Sequence, residues 1–141
     1  MMKKKILLAS ILVLLISGIS VWYYVFVYSK KHHREVANEK GITVAAREIV
    51  KEFQLNEKTA NGKYLNKAVV VTGEVSDIKT DQAGQITVTL KSDDTFSNVF
   101  CTLKSGNLKP EIGKTIRLKG ICNGFLSDVV LNEAILENTP Q

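Results

Sequence analysis

The chain has 141 residues, a formal net charge of +5, two cysteines and two histidines. This length fits one domain of usual size behind an N-terminal segment and is too short for two. From Gly41 onward there are 12 Lys+Arg and 12 Asp+Glu, so the domain is neutral and the excess charge precedes it. A neutral domain excludes nucleic-acid binding driven by overall charge, although a local basic patch remains open.

The first element is an apolar segment, residues 6–28, which contains no charged residue, Pro, Asn or Gln. A helix of this length, at about 1.5 Å per residue, exceeds a hydrocarbon core of about 30 Å. Aromatic residues at its end, Trp22–Tyr24 and Tyr28, favour the headgroup boundary. We therefore predict a single-pass transmembrane anchor at 6–28 with residues 1–5 as a cytoplasmic tail.

A cleaved signal peptide is the competing interpretation, since Lys3–Lys5 precede an apolar run and Gly18 and Ser20 offer small residues for cleavage. The run continues apolar from Val21 to Tyr28, which favours an anchor. The positive charges on the two flanks are nearly equal, so they do not decide the orientation. A short lysine-rich tail is easier to retain than to export, which favours a domain outside the cytoplasm.

Residues 29–42 follow as a polar stalk. Its cations, Lys30, Lys31 and Arg34, could meet lipid headgroups, but a solvated stalk is the simpler interpretation. His32 and His33 would point about 100° apart on a helix, which is poor geometry for two ligands of one metal ion. We therefore predict neither a metal site nor a cofactor.

The domain proper is predicted at 43–141 and begins with helices. Thr43 can cap a helix over 43–55, and Asn56 can cap a second short helix. The apolar side of the first helix is expected to comprise Val44, Ile49, Val50, Phe53 and Leu55, and that of the second Ala60 and Tyr64.

Five later segments have the alternating, β-branched pattern of strands, with turn residues between them. These segments lie at 69–75, 86–90, 98–103, 115–122 and 129–136, with turns at 81–84, 92–95 and 123–124. Gly73 predicts a bulge or sharp bend inside the first strand. The pattern favours a mainly β fold, a five-stranded Greek-key barrel of the OB type with an N-terminal helix. The side chains expected to point inward are Val69, Val71, Val75, Ile86, Val88, Leu90, Val99, Ile116 and Leu118.

The order of residues over 43–137 resembles the tRNA_anti-like family of bacterial OB-fold proteins. The resemblance rests on Phe53, Asn56-Glu57, Ala60-Asn61, Tyr64, 69–75, 99–101, Gly113-Lys114, 119–124 and 129–131. These are turn and core positions, and they imply the fold and an exported or lipid-anchored protein. This chain departs from the lipid-anchored members because its only cysteines, Cys101 and Cys122, lie far from the apolar run.

An OB barrel binds ligands on the outer face of its second and third strands. The candidate ligand face here comprises Lys79, Thr87, Thr89, Lys91, Asn98, Phe100, Thr102, Lys104 and Phe125. Phe100 is the only strand aromatic there, whereas stacking platforms for bases usually need two or more. Packing of Phe100 under the N-terminal helix is the alternative interpretation.

These features predict a non-catalytic, membrane-anchored binding module whose partner is a protein or another envelope ligand. The alternative, which the resemblance implies, is an oligonucleotide-binding module similar to tRNA anticodon-binding domains; it remains open but is not favoured. Catalysis is not expected, since the sequence contains neither GxSxG nor HExxH and its only histidines are in the stalk.

Cys101 and Cys122 both face the barrel interior by alternation, on the third and fourth strands. They are either inert buried thiols or a disulfide, and an extracytoplasmic domain would favour the disulfide. The fifth strand should separate the two cysteines, which argues against a bond because Cα atoms more than about 7 Å apart are not bridged without backbone movement.

Overall fold

The computed structural model describes residues 2–28, 35–104 and 110–137. It consists of two compact units, Met1–Glu35 and Val36–Gln141. The stalk residues Lys30, Lys31, His32, His33 and Arg34 lie outside the described residues. The folded unit begins at Val36, earlier than the predicted start at residue 43.

The first unit is a helix. The α-helix α1 (Met2–Tyr23) continues into a π-helical stretch, Tyr24–Tyr28. Residues Lys4–Tyr28 are long and apolar enough to cross a membrane by length and composition. The hydroxyl of Ser10 donates to the Leu7 carbonyl at 2.8 Å, so this polar group is satisfied within the helix.

The second unit is a closed barrel. Its strands are β1 (Ile42–Ala45), β2 (Ala68–Thr80), β3 (Ile86–Leu90), β4 (Val99–Leu103), β5 (Thr115–Phe125) and β6 (Val129–Leu136). The order β2-β3-β4-β6-β5 closes by pairing β5 with β2, and β1 is an added strand beside β2. The β4–β6 and β1–β2 pairs are parallel, and the remaining pairs are antiparallel.

Strand β2 closes the barrel because its two halves have different partners. Residues 68–74 pair with β5, and the strand pairs with β3 from Val75 onward. The register slips between Val75 and Asp77, two residues beyond the bulge predicted at Gly73. Gly73 instead lets the side chains of Ala46 and Leu90 pack closely against the backbone of β2. A Cβ at this position would lie 2.9 Å from the Cβ of Ala46 and 3.1 Å from that of Leu90.

The predicted helix over 43–55 starts too early. Residues Ile42–Ala45 form β1, with Thr43 opposite Val70, and the helix α2 comprises Ala46–Leu55. Ala45 precedes the helix in place of the predicted Thr43 cap, and its backbone amide donates to the Glu48 carboxylate at 3.4 Å. The sequence Ile-Thr-Val-Ala is β-branched and gains hydrogen bonds from β2, which outweighs its helical spacing.

The second helix, α3 (Glu57–Tyr64), has the predicted Asn56 cap, whose side chain accepts from the Thr59 amide at 3.0 Å. Helices α2 and α3 cover the barrel end where β3 and β5 finish and β4 and β6 begin, which we call the helical end. There the ring of Phe53 lies 6.0 Å from that of Tyr64 and 5.8 Å from that of Phe125, measured between centroids. This aromatic contact fixes the helices to the barrel.

The predicted inward register is confirmed. Seven of the nine expected core residues are buried, and Ile86 and Ile116 are half-buried against the same core; the seven are Val69, Val71, Val75, Val88, Leu90, Val99 and Leu118. Leu55 departs from the expected apolar side of α2, since it is 75% exposed at the end of the helix. Glu74, which alternation with Val75 places on the outer surface of β2, is exposed.

Residues Val36–Gly41 form a strap over the outer surface of β2, β5 and β6, where a polar stalk was expected. The strap begins with a 3-10 turn, Val36–Asn38, whose valine is buried. The Lys119 ammonium donates to the Ala37 carbonyl at 3.1 Å. A Cβ on Gly41 would lie 2.6 Å from a methyl carbon of Val70, so the strap lies directly against this outward side chain.

Strand β5 is longer than predicted. Asn123-Gly124 was expected to form a turn, but both residues belong to the strand, which ends at Phe125. The register slips between Cys122 and Gly124, and Gly124 has a φ of +101°. A bulge thus uses the conformational freedom of glycine, and the chain turns at residues 126–128.

Candidate ligand-binding surface

The outer surface of β3 and β4 brings together most of the predicted ligand face. Thr87 lies opposite Thr102, and Thr89 lies opposite Phe100. Thr87 is buried, and its hydroxyl donates to the Lys79 carbonyl at 3.3 Å. The hydroxyl of Thr87 is therefore already used within the barrel, and the half-exposed Thr89 and Thr102 are the polar side chains of these two strands that a ligand could reach.

Phe100 is half-buried in the middle of the face. Its neighbours in the register are Thr89 on β3 and Val130 on β6. The two helices cover the barrel end and the strap covers β2, β5 and β6, so the outer surface of β4 carries neither. Phe125, by contrast, stacks on Phe53 and belongs to the contact between barrel and helices.

Two of the three lysines on the face are paired with carboxylates. Lys79 lies 2.6 Å from Asp77, and Lys104 lies 3.9 Å from Glu133. The hydrogen bond from Lys79 lowers the pKa of the Asp77 carboxyl, and the same bond raises the pKa of Lys79. Each cation therefore has its neutralising partner beside it.

The third lysine, Lys91, follows the end of β3 at the helical end. It lines an open cleft of about 320 Å³ together with Glu74, Asp93 and Arg47. Lys79 and Lys104 belong to the opposite half of the β3–β4 sheet, because Lys79 pairs with Thr87 at the start of β3. The three lysines do not form a continuous basic strip.

Two exposed apolar side chains, which the sequence reasoning did not single out, stand at the helical end. Phe96 in the β3–β4 loop and Leu126 in the β5–β6 turn are each 86% exposed. The sequence predicts only a turn at 92–95, although a phenylalanine between Thr95 and Ser97, within a run of turn residues, indicates an apolar side chain in the loop. Large apolar side chains on loops are candidate contact points for a partner.

Cys101 and Cys122 are free and buried, and each lies opposite Leu131, one on either side of β6. Two strand spacings of about 4.8 Å separate their backbones, which is more than a disulfide bridges. Burial raises the pKa of both thiols, so they stay protonated and unreactive at neutral pH. The register therefore supports the interpretation of two buried thiols.

Within residues 2–28, 35–104 and 110–137, no three His, Cys, Asp or Glu side chains form a group that could hold a metal ion. The larger cleft, of about 430 Å³, lies between α2 and the β3–β4 loop. Its charged lining residues are Arg47, Glu48, Lys51, Asp93 and Asp94. These groups are suited to ionic contacts along the rim of a binding surface.

The closed five-stranded barrel, its parallel β4–β6 pair and its exposed β3–β4 surface define an OB-fold protein of the binding-module class. The chain belongs to the tRNA_anti-like family, whose model matches residues 1–135. This match confirms the predicted resemblance and extends it through the N-terminal helix.

One similar solved structure is a "putative nucleic acid-binding lipoprotein" from Klebsiella pneumoniae subsp. pneumoniae MGH 78578. It has 20% identity and a TM-score of 0.54, and the match covers 68% of this chain and 92% of that one. At this identity the likeness shows the fold. No protein among those with curated function matches the sequence.

Proposed function

We propose that this protein is a membrane-anchored, non-catalytic OB-fold module that binds a protein partner in the cell envelope. The observation that carries this proposal is the pairing of Lys79 with Asp77 and of Lys104 with Glu133 on the face that OB folds use for ligands. A phosphate backbone would have to displace these carboxylates before it gained a cation, so most of the electrostatic driving force is absent. Protein ligands accept such a mixed surface.

The anchor is proposed from the apolar helix at Lys4–Tyr28. The short lysine-rich tail supports an orientation with residues 1–5 in the cytoplasm and the barrel outside it, because such a tail is easier to retain than to export. A topology reporter fused after Gln141 tests this: activity of a periplasmic or extracellular reporter is expected. Activity of a cytoplasmic reporter would contradict the proposed address and favour a soluble intracellular ligand.

Oligonucleotide binding is the second candidate, and two observations favour it. Phe100 lies half-exposed on the ligand face, and the neighbour from Klebsiella is described as binding nucleic acid. Stacking on one ring contributes about 1–3 kcal/mol per base, which is too little for tight binding without a basic groove.

The two candidates are separated by titrating the full-length protein, in nanodiscs of neutral lipid, with single-stranded RNA and DNA. Fluorescence anisotropy is expected to show no submicromolar complex at physiological salt. Empty nanodiscs measure the background. A salt-sensitive submicromolar complex that is lost on Phe100→Ala would establish the nucleic-acid candidate instead.

A further inference from the structure

The backbone of the β3–β4 loop around Phe96 is held by hydrogen bonds within the loop. The Asp94 carboxylate accepts from the amides of Phe96 and Ser97 at 2.8 and 2.7 Å. The Asn98 side chain accepts from the Ser92 amide at 3.1 Å, and the Ser92 hydroxyl donates to the Ser97 carbonyl. The loop is therefore built around polar bonds, while its one large apolar side chain projects into solvent.

The β5–β6 turn is tied to this loop. The amide of Asn98 donates to the Asp128 carboxylate at 2.6 Å, and the amide of Val129 donates to the Asn98 carbonyl at 3.0 Å. Phe96 lies two residues before Asn98 in the loop, and Leu126 lies two residues before Asp128 in the turn. We call Phe96, Leu126 and the flanking Asp93, Asp94 and Asp128 the loop patch.

The loop patch combines an ordered backbone with exposed apolar area. A loop whose backbone is already held by hydrogen bonds needs less further ordering when a partner covers it. Burying a phenylalanine and a leucine that are both 86% exposed would remove two large apolar groups from water. The opposite end of the barrel offers only one such residue among those described, Ile112 at 65% exposure.

The charges around the loop patch are mainly negative. Asp93 and Asp94 line the cleft beside it, facing Arg47, Glu48 and Lys51 of α2, and Asp128 lies in the adjoining turn. Lys91 and Glu74 line the neighbouring cleft with Asp93 and cancel each other in the count of charges. Carboxylates thus outnumber cations at this surface. Anionic lipid and nucleic-acid phosphate are repelled by such a surface, whereas Lys and Arg side chains of a partner are attracted.

We propose that the loop patch is the docking surface for the protein partner, and that the partner presents an apolar pocket bordered by Lys or Arg side chains. Phe96 fills the pocket, Leu126 covers its edge, and Asp93 faces the partner's cations. An apolar core with a polar rim is the usual anatomy of a protein–protein interface. This inference rests on the proposed function and moves the contact from the β3–β4 face to the loops.

Site-specific photo-crosslinking in the full-length protein tests the proposal in its native membrane. The photoreactive residue p-benzoylphenylalanine replaces Phe96 in one strain, Phe100 in a second and Ile112 in a third. A discrete protein adduct is expected from position 96 and not from position 112. Mass spectrometry of the adduct should identify an apolar partner peptide that contains Lys or Arg.

A matched charge reversal tests the proposed chemistry. With the photoreactive residue at position 96, Asp93→Lys is expected to lower the adduct yield at least tenfold. Glu111→Lys makes the same charge change at the opposite end of the barrel and should leave the yield unchanged. Equal losses in the two variants, or no loss in either, would overturn the role of the acidic border.

The remaining outcomes separate this inference from the proposed function. A protein adduct from position 100 without one from position 96 would overturn the loop patch and leave the protein-binding function standing. Adducts to lipid or nucleic acid alone, or no adduct from either position, would overturn both.

Discussion

The barrel has two outer walls that differ in what covers them. The covered wall is the outer surface of β2 and β5, where the strap crosses Val70 and Lys119. The bare wall is the outer surface of β3 and β4, where Thr89 and Phe100 remain half-exposed. The comparison shows that an outward position on a barrel strand is not the same as an exposed one, since outward Val70 is 3% exposed and outward Lys119 is 7% exposed.

The two cysteines report on the two walls separately, since Cys101 belongs to β4 and Cys122 to β5. We expect both thiols in the native protein to react at least about a thousandfold more slowly than in the unfolded chain, and at equal rates, because a closed barrel opens as a unit. Labelling with a thiol reagent followed by peptide mass spectrometry measures both rates. Faster labelling of Cys101 would show that the bare wall opens on its own.

The same labelling of unfolded, unreduced protein counts the free thiols. Two reactive thiols are expected. One blocked pair in protein taken directly from its native membrane would show that the backbone around Leu131 rearranges to join the cysteines.

Placing a carboxylate at an outward position of each wall should change the free energy of unfolding by different amounts. Val70→Asp would bury a carboxylate under the strap without a partner, and we expect a loss of about 3–5 kcal/mol in the free energy of unfolding. Thr89→Asp places the same group on the bare wall and should cost less than about 1 kcal/mol. Urea denaturation followed by circular dichroism compares them, and equal losses would contradict the distinction between the walls.

Lysine truncation gives a smaller contrast. Lys119→Ala removes the hydrogen bond to the Ala37 carbonyl and the buried stem, and should cost about 1–2 kcal/mol. Lys79 is 74% exposed, so its pair with Asp77 is screened and Lys79→Ala should change stability by less than about 0.5 kcal/mol. Proteolysis near Glu39 should accelerate in the first variant alone. Unchanged proteolysis in Lys119→Ala would mean that Val36 holds the strap without the lysine.

The smallest expected effect is the dependence of the folding stability on pH, and the group that causes it lies outside the covered wall. The amides of Phe96 and Ser97 hold the pKa of the Asp94 carboxyl below its ordinary value of 3.8. Because the folded pKa is lowered, this stabilisation is present above pH 3.8 and is lost as the pH falls through the folded value. Asp94→Asn should therefore weaken the acid sensitivity of the urea midpoint below this pH. An unchanged acid profile would place the sensitivity elsewhere, with Asp77→Asn as the next variant to measure.

Much of the barrel could be predicted because its strands carry their own signal. The segment Ile-Thr-Val-Thr-Leu in β3 alternates, as expected for a strand with one covered face. Within β2, Val70 is apolar although alternation places it on the outer surface, and the resulting run Val69-Val70-Val71 indicates burial on both faces of the strand there. The sequence therefore indicated that something covers the outer surface of β2. It did not indicate that residues 36–41 provide the cover, because the strap is held by contacts between residues far apart in the chain, such as Lys119 and Ala37.

The remaining features depend on tertiary context. Strand β1 is four residues long and is stabilised by pairing with β2, whereas the possible cap at Thr43 and the helical spacing of Val44 favoured an earlier helix start. Asn123-Gly124 is a strong turn signal that the barrel uses for a bulge. The candidate face followed from the fold, but the loop patch depends on the bond between Asn98 and Asp128, 30 residues apart. Local pattern does not encode a contact at that separation.

The parallel pairing of β1 with β2 has a mechanical consequence. Four register pairs, from Ile42–Val69 to Ala45–Thr72, join the strap side of the chain to the strand that closes the barrel. A pull on the chain ahead of Val36, directed along β1, loads these pairs in shear, so their hydrogen bonds share the force instead of breaking one after another. Once the strap contacts of Val36 and Ala37 have separated, β1 is the element that transmits tension from the N-terminal side to the barrel.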